Sequence, residues 1–269
     1  MSTTTTREAR DSVLLSERAG PVLTLTINRP DASNAIDNMV RSELTRALDE
    51  AVANRQVKAI VLTSTGDDAF SVGMDIGELV GFAPPDVEAV AQQARGVYER
   101  LSALEIPIIA AIKGACLGAG FELALHADVR LARADARFGL PGINVGMNAN
   151  GSALARLQRI SGNGSAAALA LTGGVVTAER AFMLGLVSNV AGMADFEPSV
   201  QQLAGHMASL SPVAVAETKK ILRLASERGI EAAAEHSPKG LARCFAEGDA
   251  AARLQMMLSG GRDPDATVH

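Results

Sequence analysis

The chain has no tryptophan, a single tyrosine and only two cysteines among its 269 residues. With so few aromatic rings and no clustering of Lys and Arg against a net charge of -5, it lacks the stacking platform and basic stripe of a nucleic-acid surface. Cys116 and Cys244 cannot supply the disulfide framework of a small secreted domain. They read as packing residues of a reducing, cytoplasmic compartment, since no His or Lys neighbour is evident to activate either thiol. The histidines at 126, 206, 236 and 269 have no metal-ligand spacing among themselves, so no metal site is expected. The most apolar window, 103–127, is interrupted by Glu105, Lys113 and Glu122. A central Lys costs roughly 2.5 to 3.5 kcal/mol on insertion scales, so no membrane span is expected. The opening STTTTREARD lacks the apolar run of a signal peptide and reads as a disordered tail over residues 1–10.

What the chain does have is 48% hydrophobic and 20% charged residues, the composition of a globular protein with a substantial core. SVLLSER and VLTLTIN alternate in the strand period on either side of Ala19-Gly20-Pro21 and predict a hairpin. Beyond it the period changes. Val40, Leu44, Ala47, Leu48 and Ala51 form a helical stripe with Asp37 as N-cap, and a second stripe runs from Val87 through Val97 and Tyr98 to Leu101. Between and after these, KAIVLTS, PIIAAI and VRLAR read as buried strands. Strand and helix therefore alternate, which means α/β. From about Ser152 helical signals dominate, with Thr177 capping AERAFMLG and Ser211-Pro212 as cap and first helical residue. The last seventy residues or so read as helices without strands, which need another surface to cover their apolar faces.

Several site types are excluded by spacing. Gly118-Ala119-Gly120 begins like a dinucleotide fingerprint, but Leu123 stands where the third glycine belongs. No Walker motif, G-x-S-x-G elbow or H-E-x-x-H sequence occurs. There remains a small-residue turn leading from PIIAAI toward a helix that starts near Ala119. First-turn N–H groups of a helix are unpaired and favour an oxyanion, and Gly73-Met74 can bring a partner amide. The same glycines can equally serve tight packing. Glu122, one turn on in the apolar run FELALHA, can point outward into solvent or inward as a general base. His126, four residues further, shares its face and reads as a surface or interface histidine.

The ordered motifs INRPDASNAID, AFSVGMDIGEL, IIAAIKGACLGAGFELALHADVRLA, ARFGLPGINVG, TGGVVTAERAFMLGLVSNV and SPVAVAETKKIL resemble the crotonase superfamily, the enoyl-CoA hydratase/isomerase family, over most of the chain. The resemblance implies a spiral of ββα units over residues 11–200 and a C-terminal helical region, 201–269, that assembles homotrimers or hexamers. It also implies an acyl-CoA substrate, carried as the coenzyme A thioester without a further cofactor. By position, the Met74 and Ala119 amides would hold the thioester oxygen, and Glu122 matches the first of the family's two catalytic glutamates. Ala32, Ser33 and Ala35, with Val72, Met74, Asp75, Ile76 and Ala119, match positions that line the coenzyme. One departure stands out: Gly142 occupies the place of the second glutamate that hydratases carry after the proline of FGLP. Hydration is expected first, with isomerisation, decarboxylation, retro-aldol cleavage or non-catalytic acyl-CoA binding as alternatives. Glu78 or Glu99 could in principle replace the missing acid. Asn148, Ala149 and Asn150 replace the proline and glycines frequent in the family and read as turn residues or, alternatively, as amides that anchor a water or a polar acyl group, and Arg262 is the expected phosphate partner.

Overall fold

A computed structural model describes residues 12–259; the expected N-terminal tail, residues 1–10, and Arg262 lie outside the described residues. The described residues begin with β1 (Leu14–Ala19) and β2 (Val22–Ile27), the expected hairpin, paired from Leu14 opposite Ile27 to Ala19 opposite Val22. Helix α1 (Asn38–Ala53) starts where Asp37 accepts the Val40 N–H at 2.9 Å. Next come β3 (Ala59–Ser64), β4 (Ala69–Ser71), the single turn α2 (Ile76–Leu79) and the long α3 (Pro84–Ala103). The pattern then repeats as β5 (Ile108–Ile112), β6 (Ala115–Leu117) and α4 (Ala119–Leu125), and again as β7 (Val129–Arg133), β8 (Arg137–Gly139) and α5 (Gly151–Thr172). In each unit a strand joins the large sheet, a short strand joins a smaller one, and a helix leads back. That is the expected ββα spiral.

The large sheet runs β1-β2-β3-β5-β7 and ends with β10 (Asn189–Ala191); the smaller sheet runs β4-β6-β8 and ends with β9 (Val175–Thr177). These last two strands lie in the stretch beyond Ser152 where helical signals dominate, and from Phe196 the described residues form helices alone, as expected. Each of the two strands is three residues long, too short for periodicity to reveal. Thr177 nevertheless caps α6 (Ala178–Met183) as expected, accepting the Arg180 N–H at 3.2 Å.

Strand alternation sorts the core into two layers. Ile60, Leu62, Ile108, Ala110 and Ile112 pack with α1, α3 and Phe70, Phe121 and Phe138. On the other face Val61, Ile109, Ala111 and Leu131 are covered by Phe196, Val200, Ala204 and Ala208 of α7 (Phe196–Ser209). A boundary at residue 200 therefore cuts a helix that belongs to the sheet. The helices that stand away from it are α8 (Pro212–Arg228), α9 (Ile230–Ala246) and α10 (Ala250–Leu258), of which α8 and α9 pack chiefly on each other. Pro212 is the first residue of α8 as expected, but Ser211 makes no side-chain cap hydrogen bond. No described helix is long and apolar enough to cross a membrane.

Candidate active site

Two chain turns meet at the C-terminal ends of β4 and β6. Gly73 adopts φ of 112° and Gly118 φ of 50°, conformations that glycine takes without a Cβ penalty. A Cβ at Gly73 would lie 3.3 Å from the Ala119 nitrogen and 3.4 Å from the Gly118 Cα, so the two turns touch through backbone. A Cβ on Gly120 would come within 2.6 Å of the Ser71 Cβ and 2.7 Å of its carbonyl. Gly120 thus lets the first turn of α4 sit directly on β4. The glycine pattern serves close packing and at the same time leaves amides uncovered: among the described residues, neither the Met74 nor the Ala119 N–H has a hydrogen-bond partner in the protein.

Residues 32–36 lie alongside 72–76. The Val72 N–H donates to the Ser33 carbonyl at 3.2 Å, Ile36 N–H to Gly73 at 2.8 Å, and Asp75 N–H to Ile36 at 3.2 Å. Ser33 and Asn34 hold φ of 50° and 56°, and the buried Asn34 amide donates to the carbonyls of Thr65 and Ala69 at 2.9 and 2.8 Å. That side chain fixes the loop.

Both turns open on a cavity of about 260 Å³ lined by Val72, Met74, Ile76, Ala119, Glu122 and Gly142, with Leu140, Ile143, Met147 and Asn148 among its further walls. Of the expected site residues, Ala32, Ser33, Ala35 and Asp75 do not reach this cavity. Ala35 is buried, and the Asp75 carboxylate is engaged by Arg29 at 3.0 Å and by the Gly77 N–H at 2.9 Å. A larger cavity of about 590 Å³ lies behind, between α3, α4, α5 and α8, lined by Tyr98, His126, Arg130, Arg156 and Lys219. It contains neither free amide nor Glu122, so size alone does not mark the chemistry.

Glu122 points inward and is only 8% exposed. Its Oε1 accepts the Asn150 backbone N–H at 2.8 Å, and its Oε2 accepts the Tyr98 hydroxyl at 3.0 Å. Burial raises the carboxyl pKa, and these two donors pull it back. It is the sole carboxylate lining the cavity among the described residues. Neither proposed substitute reaches it: Glu78 is clamped by both Arg41 guanidinium nitrogens at 2.8 and 3.0 Å, and Glu99 pairs with Arg95 at 2.6 Å beside the rear cavity. A Cβ on Gly142 would meet the Met147 carbonyl at 3.4 Å, an ordinary contact.

The expectation of a surface histidine is corrected: His126 is 3% exposed. The apolar layer of α4 takes it in because its polar atoms are satisfied internally. Nδ1 lies 2.7 Å from the Glu122 carbonyl, Nε2 lies 3.0 Å from the Ser152 Oγ, and the ring stacks on Tyr98 at 4.7 Å and 9°. Burial first, then the Arg156 and Arg130 charges, lower its pKa to about 4, against the opposing Glu122 carbonyl. The turn expected at Asn148–Asn150 falls instead at Gly146, and 148–150 is irregular chain whose last residue, extended at φ of -62° and ψ of 134°, caps α5 by accepting the Ser152 N–H at 2.9 Å. Cys116 is fully buried with its thiol pKa pushed up, as a packing residue should be. Sequence reading missed Tyr98 as a site residue. Its signal was there, because the one tyrosine of the chain sits on a buried helical stripe and a buried phenol needs a partner.

A ββα spiral whose adjoining turns offer two free amides beside one buried carboxylate defines an enzyme of the crotonase fold. The comparisons agree: the family model described as enoyl-CoA hydratase/isomerase matches residues 17–257. The chain belongs to the enoyl-CoA hydratase/isomerase family, and is an enzyme of the lyase or isomerase type. It is 31% identical over 236 residues to the short-chain-enoyl-CoA hydratase of Clostridium acetobutylicum, covering 88% of this chain and 90% of that protein. It is 37% identical over 222 residues to the 2,3-dehydroadipyl-CoA hydratase of Escherichia coli, covering 82% and 86%. The crystal structure of an enoyl-CoA hydratase from Mycobacterium smegmatis superposes with a TM-score of 0.89 at 28% identity, over 95% of this chain and 99% of that one.

Proposed function

We propose that the protein hydrates 2-enoyl-CoA thioesters to 3-hydroxyacyl-CoA with Glu122 as its single acid–base group. The observation that carries this reading is the buried Glu122 carboxylate, held at both oxygens, in the same cavity as the unpartnered Met74 and Ala119 turns. The thioester oxygen accepts from those two amides. Glu122 takes a proton from water as the hydroxide adds to the β-carbon, and the alkene electron pair moves to the oxygen as an enolate. When the enolate collapses, the Glu122 carboxyl returns the proton to the α-carbon. The product has gained one water. Amide donors of this type are worth about 3 to 4 kcal/mol each in the barrier. Each carboxylate oxygen has a second lone-pair site free for the water. Segments 32–36 and 72–76 form the coenzyme wall, and no group beyond the thioester is required.

The solitary carboxylate also suits double-bond isomerisation, which needs one proton shuttle. A panel of short, long, branched and aromatic enoyl-CoA esters separates the readings by loss of the conjugated thioester absorbance and mass analysis of products. Addition of one water is expected. An unchanged mass with a moved alkene would make the protein an isomerase. Glu122→Gln should abolish turnover while acyl-CoA affinity persists; a variant with full turnover would remove Glu122 from its role. We place the enzyme in the cytoplasm as a homotrimer or hexamer built through α8–α10, whose outward apolar side chains support that assembly.

A further inference from the structure

The side chain that holds the acid–base carboxylate comes from a different unit of the spiral. Tyr98 lies on α3, its ring 3% exposed, with its hydroxyl 3.0 Å from the Glu122 Oε2 and, more distantly, 3.4 Å from the Ala119 carbonyl. It lines the rear cavity and a small gap behind Met74, not the cavity into which Glu122 faces. The phenol therefore reaches Glu122 from behind. Its position is over-determined: one face of the ring stacks on His126, whose two nitrogens are tied to the Glu122 carbonyl and the Ser152 hydroxyl. The Ser152 Oγ also lies 2.7 Å from the Asn150 Oδ1, so its single proton is shared between that oxygen and the His126 Nε2, and the Asn150 backbone N–H donates to the other carboxylate oxygen at 2.8 Å. Tyr98, His126, Ser152 and Asn150 thus close a ring of contacts around one carboxylate.

We propose that Tyr98 is the positioning residue of the reaction: its hydroxyl, braced by His126, fixes the rotamer of Glu122 and keeps that lone carboxylate ionised in a site from which Gly142 has removed the second acid. This rests on the reading of Glu122 as the acid–base group. A buried carboxylate with one donor would either take up a proton or turn away from the cavity, and with no second acid in the wall nothing else could activate water. The hydrogen bond to the charged form opposes the rise that burial imposes on Glu122. The groups facing this cluster do not confuse its titration. Tyr98 itself is pushed well above its ordinary value by burial and then by Glu122, with Arg41 of α1 acting in the opposite sense. His126, facing Arg130 of β7 and Arg156 of α5, has its pKa lowered to about 4 and carries no charge at neutral pH. The acidic limb of the rate profile above that value therefore belongs to Glu122.

Tyr98→Phe keeps the ring and its stacking and deletes only the hydroxyl. A hydrogen bond to a charged group contributes about 1.5 to 3 kcal/mol, so kcat should fall roughly ten- to a hundredfold while KM changes little. The acidic limb of the kcat/KM profile should move up by about one pH unit. Tyr98→Leu, which also loses the stacking, should show the same displacement. The carboxyl of Glu122 can be titrated directly in substrate-free protein by isotope-edited infrared difference spectra, its band assigned with Glu122→Gln. An upward-shifted titration in Tyr98→Phe supports the proposal even if no enoyl-CoA is turned over, a result that would fault the reaction and not the contact. A variant that is merely less heat-stable, with the pH limb and the carboxyl band both unmoved, would overturn it.

Discussion

At the scale of single residues, the departure at Gly142 is the sharpest chemical question, because general acid–base help is worth about 10² to 10⁴ in rate. The position lies in the cavity wall, and a Cβ there meets the Met147 carbonyl at 3.4 Å and its Cβ at 3.6 Å, so a side chain can start without displacing backbone. Gly142→Glu should raise the hydration rate at least about tenfold, measured with a short enoyl-CoA at neutral pH. A well-folded Gly142→Glu protein with no gain would show that the wall no longer directs a carboxylate at the water site. Gly120 is the opposite case. Its Cβ would press on the Ser71 backbone at 2.7 Å, where nothing flexible can yield. Gly120→Ala should cost about 1 to 3 kcal/mol of stability and, by displacing the Ala119 amide, lower kcat more than acyl-CoA affinity; calorimetry and steady-state kinetics report the two effects. The Gly118–Gly120 turn and the apolar setting of Glu122 were legible in the sequence. Which way Glu122 faces was not, since its partners Tyr98 and Asn150 come from 24 and 28 positions away.

Among elements, the long periodic ones announced themselves: α1 with its Asp37 cap, α3 opening on Pro84-Pro85, and the strands β3, β5 and β7 as apolar runs. The second sheet did not. Its strands β4, β6, β8 and β9 are three residues each, and their pairing is set by tertiary contacts such as the Gly114 turn, where a Cβ would strike the Asp68 carbonyl at 2.1 Å. Propensity carries no signal over so short a span. The α8–α9 hairpin hides a further non-local feature: Glu217, 3% exposed on α8, is engaged by His236 at 2.6 Å and by Arg243, both on α9. The His236 hydrogen bond first, and the Arg243 charge among the weaker causes, hold its carboxyl below the ordinary value of 4.5. A carboxyl lowered on folding contributes stability that is complete above its unfolded value and disappears as pH falls through the native one. The hairpin should therefore hold at neutral pH and loosen on acidification below about 4.5, seen as faster amide exchange in α8 and α9 while the sheet stays protected. Glu217→Gln should flatten that dependence, and an unchanged profile would show that other groups govern it.

On the scale of the whole molecule, the spiral builds two buried layers around its sheets, whereas the C-terminal helices contribute little to either layer and leave large apolar side chains exposed. Leu222 of α8, Leu241 and Phe245 of α9, and Leu254 and Met257 of α10 are 66%, 63%, 50%, 48% and 60% exposed. Leu241 and Phe245 are four apart and share a face, so they form a continuous patch. A contiguous apolar surface of this kind on helices that pack mainly on one another calls for a covering surface. A second and third copy of the chain would supply it, as the proposed trimer or hexamer requires. Burying a leucine- or phenylalanine-sized side chain is worth roughly 1.5 to 3 kcal/mol. Replacing both Leu241 and Phe245 by Asp should accordingly weaken association by at least about a hundredfold. Sedimentation equilibrium at micromolar protein should find a trimer or hexamer for the unaltered chain and a smaller species for the double variant. Because neither side chain belongs to the two cores around the sheets, near-ultraviolet dichroism and the melting of the spiral should survive the change. An unaltered chain that sediments as a monomer across that range would mean that these helices serve some other contact, and the exposed patch would have to be explained without a second copy.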